Sequence, residues 1–258
     1  MSRIRDAFEN GKAFIPFITC GDPDLETTKK VVKAAADAGA DLIELGIPFS
    51  DPTAEGSVIQ EASIRALQGG ATTDKIFEMA MELKGEVSVP MVFMTYANVV
   101  YSYGIGRFGS RCKESGICGV ILPDVPYEEK DEFEGELLKY DVELVSLIAP
   151  TSAERTRMIA RDAKGFIYIV SSLGVTGVRS EITTDIGSIV SIIREETDVP
   201  CAVGFGISRP DQAAAMAAVS DGAIVGSAIV RLLAAHGKDA AGPVGEYVKE
   251  MKDALRAL

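Results

Sequence analysis

Apolar, β-rich runs recur eight times along the chain, each followed by a helical pattern. The runs are Ala13–Ile18, Asp41–Leu45, Met91–Thr95, Gly119–Leu122, Glu143–Ile148, Phe166–Val170, Cys201–Val203 and Ala223–Val225. Helical patterns between them include Leu25–Ala38, Thr73–Leu83, Ile105–Ser115, Tyr127–Lys139, Ala153–Arg161, Ile186–Glu196 and Pro210–Val219, with Val244–Ala257 at the end. The mean repeat is about 32 residues, the size of one βα unit. Alternating strands and helices imply a parallel sheet. Eight such units within 258 residues predict an α/β fold with one closed (β/α)8 barrel, a TIM barrel, over residues 1–258. Val89-Pro90 and Val199-Pro200 stand just before two of the runs, where proline is tolerated at a strand's start. A short helix, Ile4–Asn10, precedes the first strand and is expected to plug the barrel's bottom.

Composition narrows the function. The chain is 47% apolar and 25% charged, a globular mix that can bury a core. It carries 38 acidic against 26 basic residues, a net charge of −12, so the basic footprint of a nucleic-acid or anionic-membrane binder is missing. No apolar run reaches the length of a bilayer span, and Met1-Ser2-Arg3-Ile4-Arg5-Asp6 lacks the apolar core of a signal peptide. A soluble cytoplasmic protein is expected. Cys20, Cys112, Cys118 and Cys201 lie in or beside apolar stretches and form no C-x-x-C pair; they read as small buried hydrophobes rather than metal ligands. The only histidine, His236, follows a helical run and reads as a surface group near a helix C-terminus. Metal, redox and triad chemistry are therefore not expected of this chain.

In a (β/α)8 barrel the reacting groups sit at the C-terminal ends of the strands and in the loops beyond them. In Asp41-Leu42-Ile43-Glu44-Leu45-Gly46, period two puts Leu42, Glu44 and Gly46 on one face and Ile43 and Leu45 on the other. With Ile43 and Leu45 turned out against helices, Glu44 points into the barrel mouth. Burial there raises a carboxyl pKa and suits it to proton exchange near neutrality. None of the eight runs carries a Lys or Arg to pair with it. The following loop, Ile47 to Ser57, adds Asp51 and Glu55 and two prolines. The loop from Ser171 to Ser180 is glycine-hinged and small in side chain, as a mobile lid would be. Val203-Gly204-Phe205-Gly206-Ile207-Ser208 and Val225-Gly226-Ser227-Ala228 end the last two runs. Glycines there let backbone N–H groups approach an anion, and Ser227 opens a helix. Barrels commonly hold a phosphate at this place, and amide dipoles serve it without Lys or Arg. These residues imply carboxylate acid–base catalysis on a small organic phosphate, and leave the reaction itself open.

The stretch Glu44-Leu45-Gly46-Ile47-Pro48-Phe49-Ser50-Asp51-Pro52 resembles the tryptophan synthase α-subunit family. The similarity extends through Pro16-Phe17-Ile18-Thr19-Cys20-Gly21-Asp22-Pro23, Tyr96-Ala97-Asn98, Leu122-Pro123-Asp124-Val125-Pro126 and Gly174-Val175-Thr176-Gly177 to the two terminal glycine motifs. The resemblance implies a lyase that cleaves indole-3-glycerol phosphate to indole and glyceraldehyde 3-phosphate. It makes Glu44 the proton-shuttling acid/base and Glu55 the acceptor of the indole N–H. It sets Phe17, Met94 and Tyr168 around the indole, and Gly177, Phe205, Gly206, Gly226 and Ser227 around the phosphate. Thr176 becomes the lid residue that orders the catalytic Glu. Asp51 and Pro52 face a β subunit in an α2β2 assembly. Pyridoxal phosphate is then expected only in that partner, with no cofactor in this chain. The family usually has Asp where this chain has Glu55, and Pro where it has Ser57. One methylene moves a carboxylate by about 1 Å, an error that can cost about 10²-fold in rate, and Ser57 leaves φ freer than proline would. Three other readings use the same features: another phosphate-binding barrel enzyme, a lyase without a β partner, or a weakly catalytic scaffold that activates β.

Overall fold

The computed structural model describes residues 3–171, 185–204 and 206–258. Its strands are β1 (Ala13–Thr19), β2 (Ile43–Gly46), β3 (Met91–Met94), β4 (Ile117–Ile121), β5 (Glu143–Leu144), β6 (Ser146–Ile148), β7 (Ile167–Val170), β8 (Cys201–Gly204) and β9 (Gly222–Val225). They form one parallel sheet in the order β5-β4-β3-β2-β1-β9-β8-β7-β6. The two end strands are separated in the chain only by Val145, whose N–H donates to the Val120 carbonyl at 2.9 Å. β5 pairs with β4, and β6 pairs with β7. The fifth run of the sequence therefore joins both edges and closes the barrel. Its division into two short strands follows from that duty: one segment must turn from one neighbour to the other as the barrel curves.

Side chains alternate across the barrel wall as a period of two requires. Ile15, Phe17, Leu42, Val92, Met94, Phe166, Tyr168, Val170, Ala202 and Ile224 share the interior cluster. Phe14, Ile18, Ile43, Leu45, Met91, Phe93, Ala223 and Val225 pack with the surrounding helices, notably through Val31, Phe77, Phe108, Ile229 and Val248. A third cluster covers β7 and β8 from outside with Ile186 and Ile193. At the bottom, Ile4 is fully buried in the interior cluster. A Cβ on Gly119 would come within 2.6 Å of its Cδ1, so a glycine in β4 makes room for the plug. The helix itself is only Arg3–Asp6, shorter than expected.

Two helices lie outside the predicted pattern. Ser57–Gln68 buries Ile59, Ala62, Ser63 and Ala66, a helical stripe of mostly small residues and hence a weak apolar signal. Ala97–Tyr103 buries only Val100. The helical pattern over Tyr127–Lys139 divides into a helical turn at Tyr127–Glu129, a helix at Asp131–Leu137 and another turn at Leu138–Tyr140. All four cysteines are free and buried, and His236 is exposed at the end of helix Ser227–His236. Among the described residues no helix is long and apolar enough to cross a membrane.

Candidate active site

Glu44 lies on the inner face of β2, level with Phe17 on β1 and Val92 on β3. Its neighbours Ile43 and Leu45 face the helices, as the alternation predicts. The side chain is 1% exposed, and its Oε2 has no hydrogen-bond partner among the described residues. Burial, and then the nearby Glu55 carboxyl, push its pKa up to about 8. Among the described residues no cation offsets this. An uncompensated buried carboxyl takes up a proton instead of paying the full desolvation cost, so Glu44 is mostly protonated at neutral pH.

Glu55 reaches the same space from the loop after β2 and is also buried. The Tyr96 hydroxyl donates to its Oε2 at 2.6 Å. Burial raises the Glu55 pKa, the bond from Tyr96 opposes the rise, and Asp124 adds to it. Gln60 secures the loop backbone, its Nε2 donating to the Glu55 carbonyl at 2.7 Å. Ser57 belongs to a helix and not to the loop: it is the first residue of Ser57–Gln68, with Gly56 as N-cap. That first position tolerates proline because its N–H has no intrahelical acceptor. The helix therefore holds Ser57 whether or not φ is fixed by a ring, and the expected looseness of the loop at this point does not arise.

The described residues predicted to be catalytic, to hold the indole or to hold the phosphate converge on one cavity. Glu44 and Glu55 line it together with Phe17, Met94 and Tyr168. Ile59 and Ile224 complete the apolar wall; neither stands out in the sequence, although the helical spacing of Ile59 with Ala62 and Ala66 marks it as inward-facing. Close packing of the rings depends on absent side chains. A Cβ on Gly46 would lie 2.5 Å from Phe17 Cζ, and one on Gly204 would collide with the Tyr168 hydroxyl. At the other end are Gly206, Gly226 and Ser227. Gly206 has φ +80°, a backbone state that costs other residues about 1–2 kcal/mol. Gly226 caps helix Ser227–His236, so free N–H groups and the helix dipole meet at this wall. Thr176, Gly177, Phe205 and almost all of the loop from Ser171 to Ser180 lie outside the described residues. Asp51 is exposed and Pro52 half-buried in the loop beside the mouth.

A wider cleft is lined by Ala54, Leu122 and Val170 and also by Lys130 and Arg155. Its cations are already engaged. Both Arg155 guanidinium nitrogens donate to Glu128, at 2.7 and 2.9 Å, and Lys130 pairs with Glu134 at 3.4 Å. The cavity with two buried carboxyls and a helix N-terminus is the better equipped for chemistry.

The family model for the tryptophan synthase alpha chain matches residues 4–256. The chain belongs to that family. A tryptophan synthase alpha chain from Lacticaseibacillus casei is 46% identical over 257 residues, covering 100% of this chain and 97% of the relative. The crystal structure of tryptophan synthase subunit alpha from Legionella pneumophila superposes with a TM-score of 0.90 at 34% identity, covering both chains completely. A chain of the tryptophan synthase complex from Pyrococcus furiosus superposes at 0.86 and 33% identity, over 94% of this chain and 99% of that one. The tryptophan synthase alpha-chain family thus accounts for the length of the chain and for the barrel that presents the two carboxyls.

Proposed function

We propose that Glu44 and Glu55 carry the acid–base work of the family's lyase reaction in tryptophan biosynthesis, the cleavage of indole-3-glycerol phosphate to indole and glyceraldehyde 3-phosphate. The single observation that carries this reading is a buried, uncompensated Glu44 sharing one cavity with Glu55. Cleavage of the bond between indole C3 and the glycerol chain needs a proton on C3, positive charge tolerated at the indole nitrogen, and a proton removed from the adjacent hydroxyl. Glu44 starts protonated and gives its proton to C3. The Glu55 carboxylate accepts the indole N–H and stabilises the charge that develops there. Glu44, now a carboxylate, takes the hydroxyl proton as the carbon–carbon bond breaks and the aldehyde forms. The proton count closes, and Glu44 is ready for another turnover.

Phe17, Met94 and Tyr168 supply the flat apolar walls an indole requires, and Gly206, Gly226 and Ser227 receive the phosphate through backbone N–H groups. Asp51 and Pro52 face a β subunit in an α2β2 assembly, which receives the indole. Pyridoxal phosphate belongs to that partner, and the two proton transfers ask for no cofactor in this chain. In this reading the chain works in the cytoplasm; its four cysteines are free, as suits a reducing compartment.

The experiment is direct assay of indole release from indole-3-glycerol phosphate by the purified chain, with and without a β subunit. Release is expected in both cases, faster with β. No release in either case would overturn the lyase reading and leave a scaffold or another phosphate-binding barrel enzyme. Gly206→Ala tests the phosphate end. Forcing a Cβ into the left-handed region should lower stability by about 1–2 kcal/mol and raise KM several-fold while kcat changes less. A purely local strain would lower Tm and leave the affinity for inorganic phosphate unchanged, which would count against the cradle.

A further inference from the structure

Tyr96 stands at the end of β3 as N-cap residue of helix Ala97–Tyr103. The proton transfers at Glu44 and the charge stabilisation by Glu55 give it no part of its own. It is 2% exposed and ties the loop after β2 at three points. Its ring packs on Phe49 near the start of that loop, with centroids 5.2 Å apart. Its hydroxyl accepts the Ala54 N–H at 3.0 Å and donates to Glu55 Oε2 at 2.6 Å. Both Asp124 carboxylate oxygens accept the Ala97 N–H, at 3.0 and 3.1 Å, which fixes the backbone next to Tyr96. The phenol's own pKa is raised, by burial first and by the Glu55 carboxylate next, so it stays a donor across the working pH range.

We propose that Tyr96 is the positioning residue for Glu55, its hydroxyl holding the carboxylate of the longer acid where the family's usual aspartate would place its own. A glutamate has one more rotatable bond than aspartate and swings its carboxylate by about 1 Å unless something stops it. Here a short bond to a fixed, buried phenol stops it, and the same phenol holds the backbone of Ala54, one residue before. The bond also favours the charged form of Glu55, the form that accepts an indole N–H. The acids near Glu55 are Glu44 from β2 and Asp124 from the loop after β4. Lys130 and Arg155 in the wider cleft are paired with acids of their own. Tyr96 is thus the principal described group that favours ionisation of Glu55.

The inference rests on the role proposed for Glu55, and the test separates the two. Tyr96→Phe keeps the ring contact with Phe49 and removes only the hydroxyl. It should lower kcat/KM about tenfold and move the acid limb of its pH profile upward, because Glu55 loses the bond that lowers its pKa. In a Glu55→Ala background the same substitution should cost less than about twofold, since nothing is left to position. Tyr96 replaced by 3-fluorotyrosine, a stronger donor of nearly the same shape, should move the acid limb downward. This variant serves also if Tyr96→Phe folds poorly, which thermal unfolding would reveal. An acid limb that stays in place in both variants, or a loss from Tyr96→Phe that is as large with Glu55→Ala as without it, would overturn the proposal. Full activity in Glu55→Ala alone would remove the role of Glu55 first, and that of Tyr96 with it.

Discussion

Glu44→Gln should lower kcat for indole release by at least about 10²-fold, with a much smaller change in KM. Gln is nearly isosteric with Glu and still hydrogen-bonds, but it neither gives nor accepts a proton at neutral pH. General acid–base catalysis typically contributes about 10²- to 10⁴-fold, and here one group handles two successive proton transfers. The loss belongs in kcat because the transfers occur after binding. Stability should move the opposite way. The folded-state pKa of Glu44 is raised from its ordinary 4.5 to about 8, so the native state holds a proton that the unfolded chain has released. Stability then falls as pH rises between those values, by at most about 5 kcal/mol when complete. The variant lacks this titration. It should unfold at a temperature close to the wild type's near pH 4 and at a higher one near pH 9. The same variant separates enzyme from scaffold. If wild type cleaves, the variant does not, and both stimulate a β subunit equally, catalysis resides at Glu44. Equal inactivity in cleavage with equal stimulation of β would make the chain a scaffold.

Glu55→Ala should cost about 10²- to 10³-fold in kcat/KM, the range seen when one preorganised group facing developing charge is removed. The carboxylate matters only as charge builds on the indole nitrogen, so kcat should carry most of the loss. The truncation also leaves the Tyr96 hydroxyl without its acceptor in a buried place, which should lower stability by about 1–3 kcal/mol. Substrate turnover and thermal unfolding of the same preparation check both parts. Retention of full kcat/KM would end the second-acid role of Glu55, and an unchanged Tm would show that the buried bond contributes little.

Much of this site is legible in the chain because it is written in local periodicity. Glu44 stands out as an acid on the inward face of an otherwise apolar strand, near its C-terminal end, and the structure puts Ile43 and Leu45 on the helix side as that reading requires. Gly226 and Ser227 are visible as a strand end followed by a helix start. What the chain does not display are the relations that only the closed barrel creates. Glu143–Ile148 reads as one strand because nothing local distinguishes a segment with one partner on each side from one with a single register. Tyr96 lies 41 positions from Glu55, and the sequence places it only within a family-like Tyr-Ala-Asn stretch, with no local sign that it meets the loop after β2. Helix Ser57–Gln68 is hard to see in the sequence because Ala62, Ser63 and Ala66 make a narrow, weakly apolar stripe. Its position nonetheless decides how Glu55 is presented, since the acid sits one residue before the cap.

Glu44 is a neutral acid at working pH because the barrel interior desolvates it. Infrared difference spectroscopy reads this directly, as the carboxylic-acid carbonyl band present in wild type and missing from Glu44→Gln, followed against pH. This band should persist through neutrality and disappear with a midpoint near 8. A band already gone by about pH 5 to 6, as for an ordinary solvated glutamate, would contradict it.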